Sequence, residues 1–213
     1  MLRLIHHAFR ELRRPARVLV LVTTGAVLAL GSAPATLATG IDPGTLNPVP
    51  PDFYQCRATG DGSGAICRAH TVTPYEGDPT GIICGSGASA VELLDNGIRD
   101  VDATRWYNGD RNLTRRLRTF LFRDAYLSNP ATGRTLGYAQ HNTDNEVLGV
   151  PGDLSSATWT GHGVLSITAP GFGSVILSAG RTIIGPDGVI RATSGPDRAH
   201  LDDLCAALGT PNN

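Results

Sequence analysis

Leu113 to Leu127 reads LTRRLRTFLFRDAYL. The stretch alternates. Leu117, Leu121, Ala125 and Leu127 fall on one face of an extended chain, and Arg116, Arg118, Phe120, Phe122 and Tyr126 on the other. A period of two is the pattern of a β-strand, whose successive side chains point to opposite faces. Gly133 to Thr143 returns from this strand across the NPATG turn at 129–133. A third run, Ser174 to Ile184 (SVILSAGRTII), is β-branched and apolar, with Gly180 expected as a bulge or a close backbone contact.

Outward from these strands, turn signals recur along the chain. They are Asp61-Gly62, Pro74 to Gly81, Asn96-Gly97, Asn108 to Asp110, Asn129 to Gly133, Asp144-Asn145, Pro151 to Asp153, Gly161 to Gly163, Pro170-Gly171 and Pro186 to Gly188. Such spacing predicts an all-β fold, an antiparallel barrel or sandwich of about eight to ten short strands. Ala88 to Leu94 fits either a strand or a short helix. The chain ends differently. Asp197 to Leu208 places Leu201, Leu204, Cys205 and Leu208 at spacings of three and four, which predicts a short helix. Asp197 is placed to cap it and Gly209 to end it.

The amino terminus is a targeting pattern. Arg3, Arg10, Arg13, Arg14 and Arg17 precede an uncharged, mostly apolar run of 13 residues, Val18 to Leu30. That is too short to span a bilayer and suits a signal peptide. Small residues follow, and cleavage is expected after Ala38, with Ala35 as the alternative. No cysteine stands there to carry a lipid. The organisation expected is a signal peptide at 1–38, a flexible leader at 39–52 and a single β domain at 53–209. After cleavage no stable membrane insertion is expected.

The chain has 18 basic and 19 acidic residues. All the basic ones are arginine, a bias that fits a G+C-rich bacterial genome. Removing the signal leaves 13 basic and 18 acidic residues, a net charge of −5. That balance argues against a nucleic-acid partner. The four cysteines all lie beyond the signal, and an even count in an exported chain predicts two disulfides. A hairpin centred on Asp61-Gly62 sets Thr59 against Gly64, Ala58 against Ala65 and Cys56 against Cys67. Cys84 then pairs with Cys205.

Ala169 to Pro196 (APGFGSVILSAGRTIIGPDGVIRATSGP), with NPATGRTLGYAQHN at 129–142, resembles a type of exported bacterial protein of uncharacterised activity. The resemblance covers roughly residues 100–208. It implies a secreted β-rich domain and nothing about activity. At the level of fold alone the pattern is similar to the small antiparallel barrels of the dirigent, allene-oxide-cyclase and lipocalin kind, and fold does not imply function.

No catalytic, metal or phosphate motif is complete. GSGASA at 85–90 lacks the glycine that would follow the serine of an esterase elbow. Gly171-Phe172-Gly173 precedes a strand where a dinucleotide fingerprint would open a helix. No cofactor and no metal is therefore expected. His141 lies near Asp144 and Glu146 in QHNTDNE (140–146), which suits an exposed metal site, an acid–base pair or an ordinary turn, and neither H-x-H nor H-E-x-x-H occurs. Trp106, Tyr107, Tyr138 and Trp159 read as core or rim aromatics. Arg116 and Arg118 share a face with Phe120, Phe122 and Tyr126, which suits a pocket for a small, partly apolar anion. The competing explanation is pairing of the whole arginine run, Arg111, Arg115, Arg116, Arg118 and Arg123, with Asp100, Asp102 and Asp110 on the preceding strand. The expected ligand residues are thus Arg116, Arg118, Phe120, Phe122, Tyr126 and His141. A barrel enzyme of cyclase or hydrolase type, or a structural surface domain, are the alternatives.

Overall fold

The structure, a computed structural model, describes residues 40–60 and 62–210. The expected signal peptide and the turn residue Asp61 lie outside the described residues. The described residues belong to one compact unit.

Among the described residues nine strands precede one α-helix. They are β1 (Gln55–Ala58), β2 (Ala65–Cys84), β3 (Val91–Tyr107), β4 (Leu113–Ser128), β5 (Thr135–Leu148), β6 (Ala157–Ala169), β7 (Gly173–Ile184), β8 (Ile190–Ser194) and β9 (Asp197–Ala199); helix α1 spans Leu201–Ala207. Strands β1 to β8 pair antiparallel in chain order, and β9 shares with β8 the far edge of β7. The all-β antiparallel class and the short carboxyl-terminal helix are as expected. The sheet is not closed: β1 and β8 do not pair.

The strands are longer than expected, 20 residues in β2 and 17 in β3. Pro74 to Gly81, Asn96-Gly97, Asp144-Asn145 and Gly161 to Gly163 lie inside strands, although each carries turn residues. In β2 the surplus residues are absorbed by register shifts between Tyr75 and Asp78 and between Pro79 and Ile83, where Gly77 and Gly81 adopt φ of 73°. A bulge accommodates turn-prone residues without ending the strand.

A bulge also corrects the central strand. Phe122 pairs with Gln140 and Tyr126 with Gly137, so β4 carries one more residue than β5 across this step. Asp124 takes the left-handed conformation there, at φ 51°. One extra residue exchanges the two faces. Leu127 therefore joins the face of Arg116, Arg118, Phe120 and Phe122, and Tyr126 leaves it.

That face, called the inner face below, is closed over at both ends. At one end Leu46, Ala65, Cys67, Tyr107, Leu113 and Leu148 form a buried cluster, with Ile41 and Tyr54 packed against it. Residues 40–52, expected as a flexible leader, supply Leu46 to this cluster. They are tied down where the Leu113 N–H donates to the Asn47 carbonyl (2.8 Å), the Asn47 N–H donates to the Arg111 carbonyl (2.9 Å) and the Tyr107 hydroxyl donates to the Pro48 carbonyl (3.0 Å). The segment is rich in Pro and Gly, which read as flexible, but its fixed turns aim Leu46 at the sheet. At the other end α1 buries Leu204, Cys205 and Leu208. Asp197 does not cap this helix; it belongs to β9, and the helix starts after His200. Gly209, at φ 84°, ends it as expected. The Asn129 amide and the Thr132 hydroxyl donate to the Leu208 carbonyl left free there, at 3.1 and 2.8 Å.

The two disulfides are those expected, the first from hairpin register and the second by elimination. Cys56–Cys67 joins directly paired residues of β1 and β2, and Cys84–Cys205 ties the end of β2 to α1. Among the described residues there is no free cysteine. None of the described helices is long and apolar enough to cross a membrane.

Candidate functional site

Strand register sets the inner face out in rows. The first row is Arg105, Arg116, Glu146 and Trp159, one residue each from β3, β4, β5 and β6. The second is Ala103, Arg118, Asp144 and Gly161, and the third is Val101, Phe120, Asn142 and Gly163. Opposite charges thus face one another across β4 and β5. Arg116 is hydrogen-bonded to Glu146. Arg118 donates to Glu146 at 2.8 Å and reaches Asp144 at 3.3 Å. These groups are largely out of water: side-chain exposure is 21% for Arg116, 16% for Arg118 and 5% for Glu146. Burial raises the pKa of Asp144, against the pull of Arg118 and of the Trp159 indole N–H, and the neighbouring Glu146 charge raises it further.

Aromatic rings carry the faces of the guanidinium groups. Arg118 lies 5.6 Å from the Phe120 ring centre and Arg105 4.8 Å from that of Tyr54. Arg99 lies between Tyr75 and Phe122, at 4.9 and 5.7 Å, with the Asp78 carboxylate 3.6 Å away. Such stacking occupies the face of the guanidinium and leaves its N–H edges available. The Nε atoms of Arg99, Arg105 and Arg116 are buried without a hydrogen-bond partner. Among the described residues no carboxylate lies in ion-pair range of Arg105; it donates a hydrogen bond to the Tyr107 hydroxyl instead.

A second polar group lies nearer the helix end of the same face. The Tyr138 hydroxyl donates to Asp95 Oδ1 (2.7 Å), and the Tyr75 hydroxyl lies 3.0 Å from that of Tyr138 and 3.4 Å from the same carboxylate oxygen. Burial raises Asp95 above the usual carboxylate range despite these donors, and pushes Tyr75 up to about 12. The group clamps β2, β3 and β5 together.

Four of the six expected ligand residues are therefore brought together: Arg116, Arg118, Phe120 and Phe122. Tyr126 is on the opposite face because of the β4 bulge. His141 is there too, between Leu121 and Val164 in register, because β5 is a continuous strand in which residues 141 and 144 alternate. The acids expected to neutralise the arginine run do so at Arg123, while Arg116 and Arg118 turn to Glu146 and Asp144 instead. Asp100 pairs with Arg123 at 2.9 Å, and His70 lies 3.1 Å from Asp102. Leu121, on the opposite face of β4, is 45% exposed. Depressions in the surface are lined by Ala199 to Asp203 and by residues of β2, β3 and β4 around Tyr75, Asn96 and Tyr126, and neither takes in Arg116 or Arg118.

The sequence reading missed Arg105, Glu146 and Trp159 as partners of this row. A signal existed. Arg116-x-Arg118 on one strand and Asp144-x-Glu146 on the next have the same period and opposite charge, but Asp144-Asn145 also reads as a turn. Among the described residues no group of three or more His, Cys, Asp or Glu side chains converges as for a metal ion. The sequon at Asn112 is engaged internally, with Asn47 Nδ2 donating to its side-chain oxygen at 2.8 Å. No protein-family model, no curated protein and no solved structure matches this chain.

Proposed function

We propose that the chain is an exported bacterial protein whose β domain binds a small, partly apolar anion on the inner face, at Arg116, Arg118, Phe120 and Phe122. The observation that carries this reading is the charge count of a mostly buried patch: three guanidiniums, Arg105, Arg116 and Arg118, face two carboxylates, Asp144 and Glu146. Buried charges are normally paired one for one. A surplus cation beside aromatic rings suits an anion with an apolar body. Export is supported by the basic and apolar character of residues 3–38 and by the two disulfides, which persist in oxidising compartments.

Binding to the native state raises the melting temperature. The test is differential scanning fluorimetry with phenylacetate and, as the uncharged control, phenylacetamide. Phenylacetate should stabilise the protein and the amide should not, and Phe120→Ala should weaken the effect. Equal behaviour of acid and amide would end the reading. Export is tested separately by amino-terminal sequencing of protein recovered from culture medium, which should begin near Thr39. Intact Met1 confined to the cytosol would overturn it.

A further inference from the structure

We infer that Arg105 is the residue that holds the ligand's charge, and that the ligand is a monoanionic carboxylate with a short, flat apolar body. The inference rests on the ligand-binding reading above and moves its anchor. Arg116 and Arg118 are already committed. Both donate to Glu146, and Arg118 also reaches Asp144. A ligand carboxylate would have to compete with carboxylates fixed by the fold.

Arg105 is placed differently. It stands directly opposite Arg116 on the neighbouring strand, and like charges in that relation repel. Its guanidinium lies over Tyr54, so its orientation is set by stacking. Part of its edge donates to the Tyr107 hydroxyl, and the buried Nε has no partner. A stacked guanidinium with N–H groups to spare can take a carboxylate through parallel N–H bonds. An anion bound there also relieves the repulsion between Arg105 and Arg116.

Charge selects the class of ligand. Arg105, Arg116 and Arg118 against Asp144 and Glu146 leave a surplus of one positive charge. A carboxylate cancels it. A dianion such as a phosphomonoester would bring a second negative charge beside Glu146, and that repulsion discriminates against it. The body has a place to lie. Next to Arg105 on the inner face of β3 come Ala103 and then Val101, small side chains flanked on β4 by Arg118 and Phe120. Flat apolar groups fit such a floor, with the Phe120 ring as the wall.

The experiment is a titration of the full β domain with phenylacetate, followed by calorimetry and by the ¹H–¹⁵N signals of arginine Nε–H groups. The wild-type protein should bind, and the Arg105 Nε–H resonance, assigned with Arg105→Lys, should shift most. Arg105→Gln should weaken binding at least tenfold and Arg105→Lys by less. Arg99→Gln, whose arginine has its own acid in Asp78, should bind as wild type. Phenylphosphonate at a pH where it is a dianion should bind more weakly than phenylacetate. If the wild-type protein binds phenylacetate but the Arg105 signal stays still and Arg105→Gln binds normally, the anchor is elsewhere and only this inference falls. If the wild-type protein binds no phenylacetate, the ligand-binding reading falls with it. Because the resonance is read in the wild-type protein, a variant that fails to fold does not rescue the idea.

Discussion

Glu146→Gln is the substitution that probes the charged row most directly. Glu146 is the hub: it is buried and accepts from both Arg116 and Arg118. Glutamine keeps the size and one acceptor oxygen, but it removes the charge and puts an N–H₂ group where two guanidiniums converge. Removing one member of a buried ion pair costs about 3–5 kcal/mol, because the other member stays buried and uncompensated. The two arginine side chains keep 21% and 16% of their exposure, so water screens part of the loss. The lower end, about 3 kcal/mol, is therefore expected. For a domain of this size that is a fall in melting temperature of roughly 6–12 °C. Urea denaturation gives the free energy directly, and a cycle with Arg116→Met tests its origin. If the loss comes from stranded charge, the double variant should be less destabilised than the two single variants added together. A loss below about 1 kcal/mol, the range of exposed pairs, would refute the reasoning. So would strict additivity. The same variant should respond more strongly to phenylacetate than the wild type does, because its surplus positive charge rises from one to two.

The two disulfides should differ in weight. Loop-closure entropy over sequence separations of 121 and 11 residues gives about 5 kcal/mol for Cys84–Cys205 and about 3 kcal/mol for Cys56–Cys67; urea midpoints of the two Cys→Ala pairs should follow that order, and the reverse order would contradict it. Asp95 has its pKa raised by burial, so its favourable contribution is present below the unfolded value and is lost as pH rises through the folded one. The wild type should therefore gain stability over Asp95→Asn as pH falls from 7 towards about 4; a constant difference across that range counts against the burial argument. Leu46→Ala should cost about 2–5 kcal/mol, as for a buried core leucine, and an effect near zero by chemical denaturation would mean that the segment at 40–52 does not seal the sheet.

The β class was legible because it rests on local chemistry. Strand alternation in 113–122 and the hairpin at Cys56–Cys67 depend on residues close in sequence. The Cys84–Cys205 bridge followed once the first pair was assigned. What escaped was the effect of single extra residues. One bulge at Asp124 moved Tyr126 off the candidate face and Leu127 onto it. A periodicity argument cannot see that event, because the residues before and after the bulge alternate equally well. The long strands escaped for a related reason. Pro, Gly, Asn and Asp are turn residues when a chain reverses, but they also sit at bulges of a continuous strand, as Gly77 and Gly81 do. Taking Asp144-Asn145 for a turn hid the acids that neutralise Arg116 and Arg118, and made His141 look like their neighbour.

The position of the charged rows bears on their purpose. The two disulfides sit at the two covered ends of the inner face, one beside the Leu46 cluster and one at α1. The fully buried leucines are at those ends as well: Leu113 in the first, Leu93, Leu204 and Leu208 in the second. The stabilising terms of largest size, apolar burial and loop closure, are thus concentrated away from the rows. The rows occupy the stretch between, where an ion pair in place of apolar side chains adds little or no stability. Apolar residues at 105, 116 and 118, with partners to match, would give a sheet at least as stable. Three arginines there are therefore not explained by folding. An outside anion explains both why there are three and why one of them, Arg105, lacks an acid.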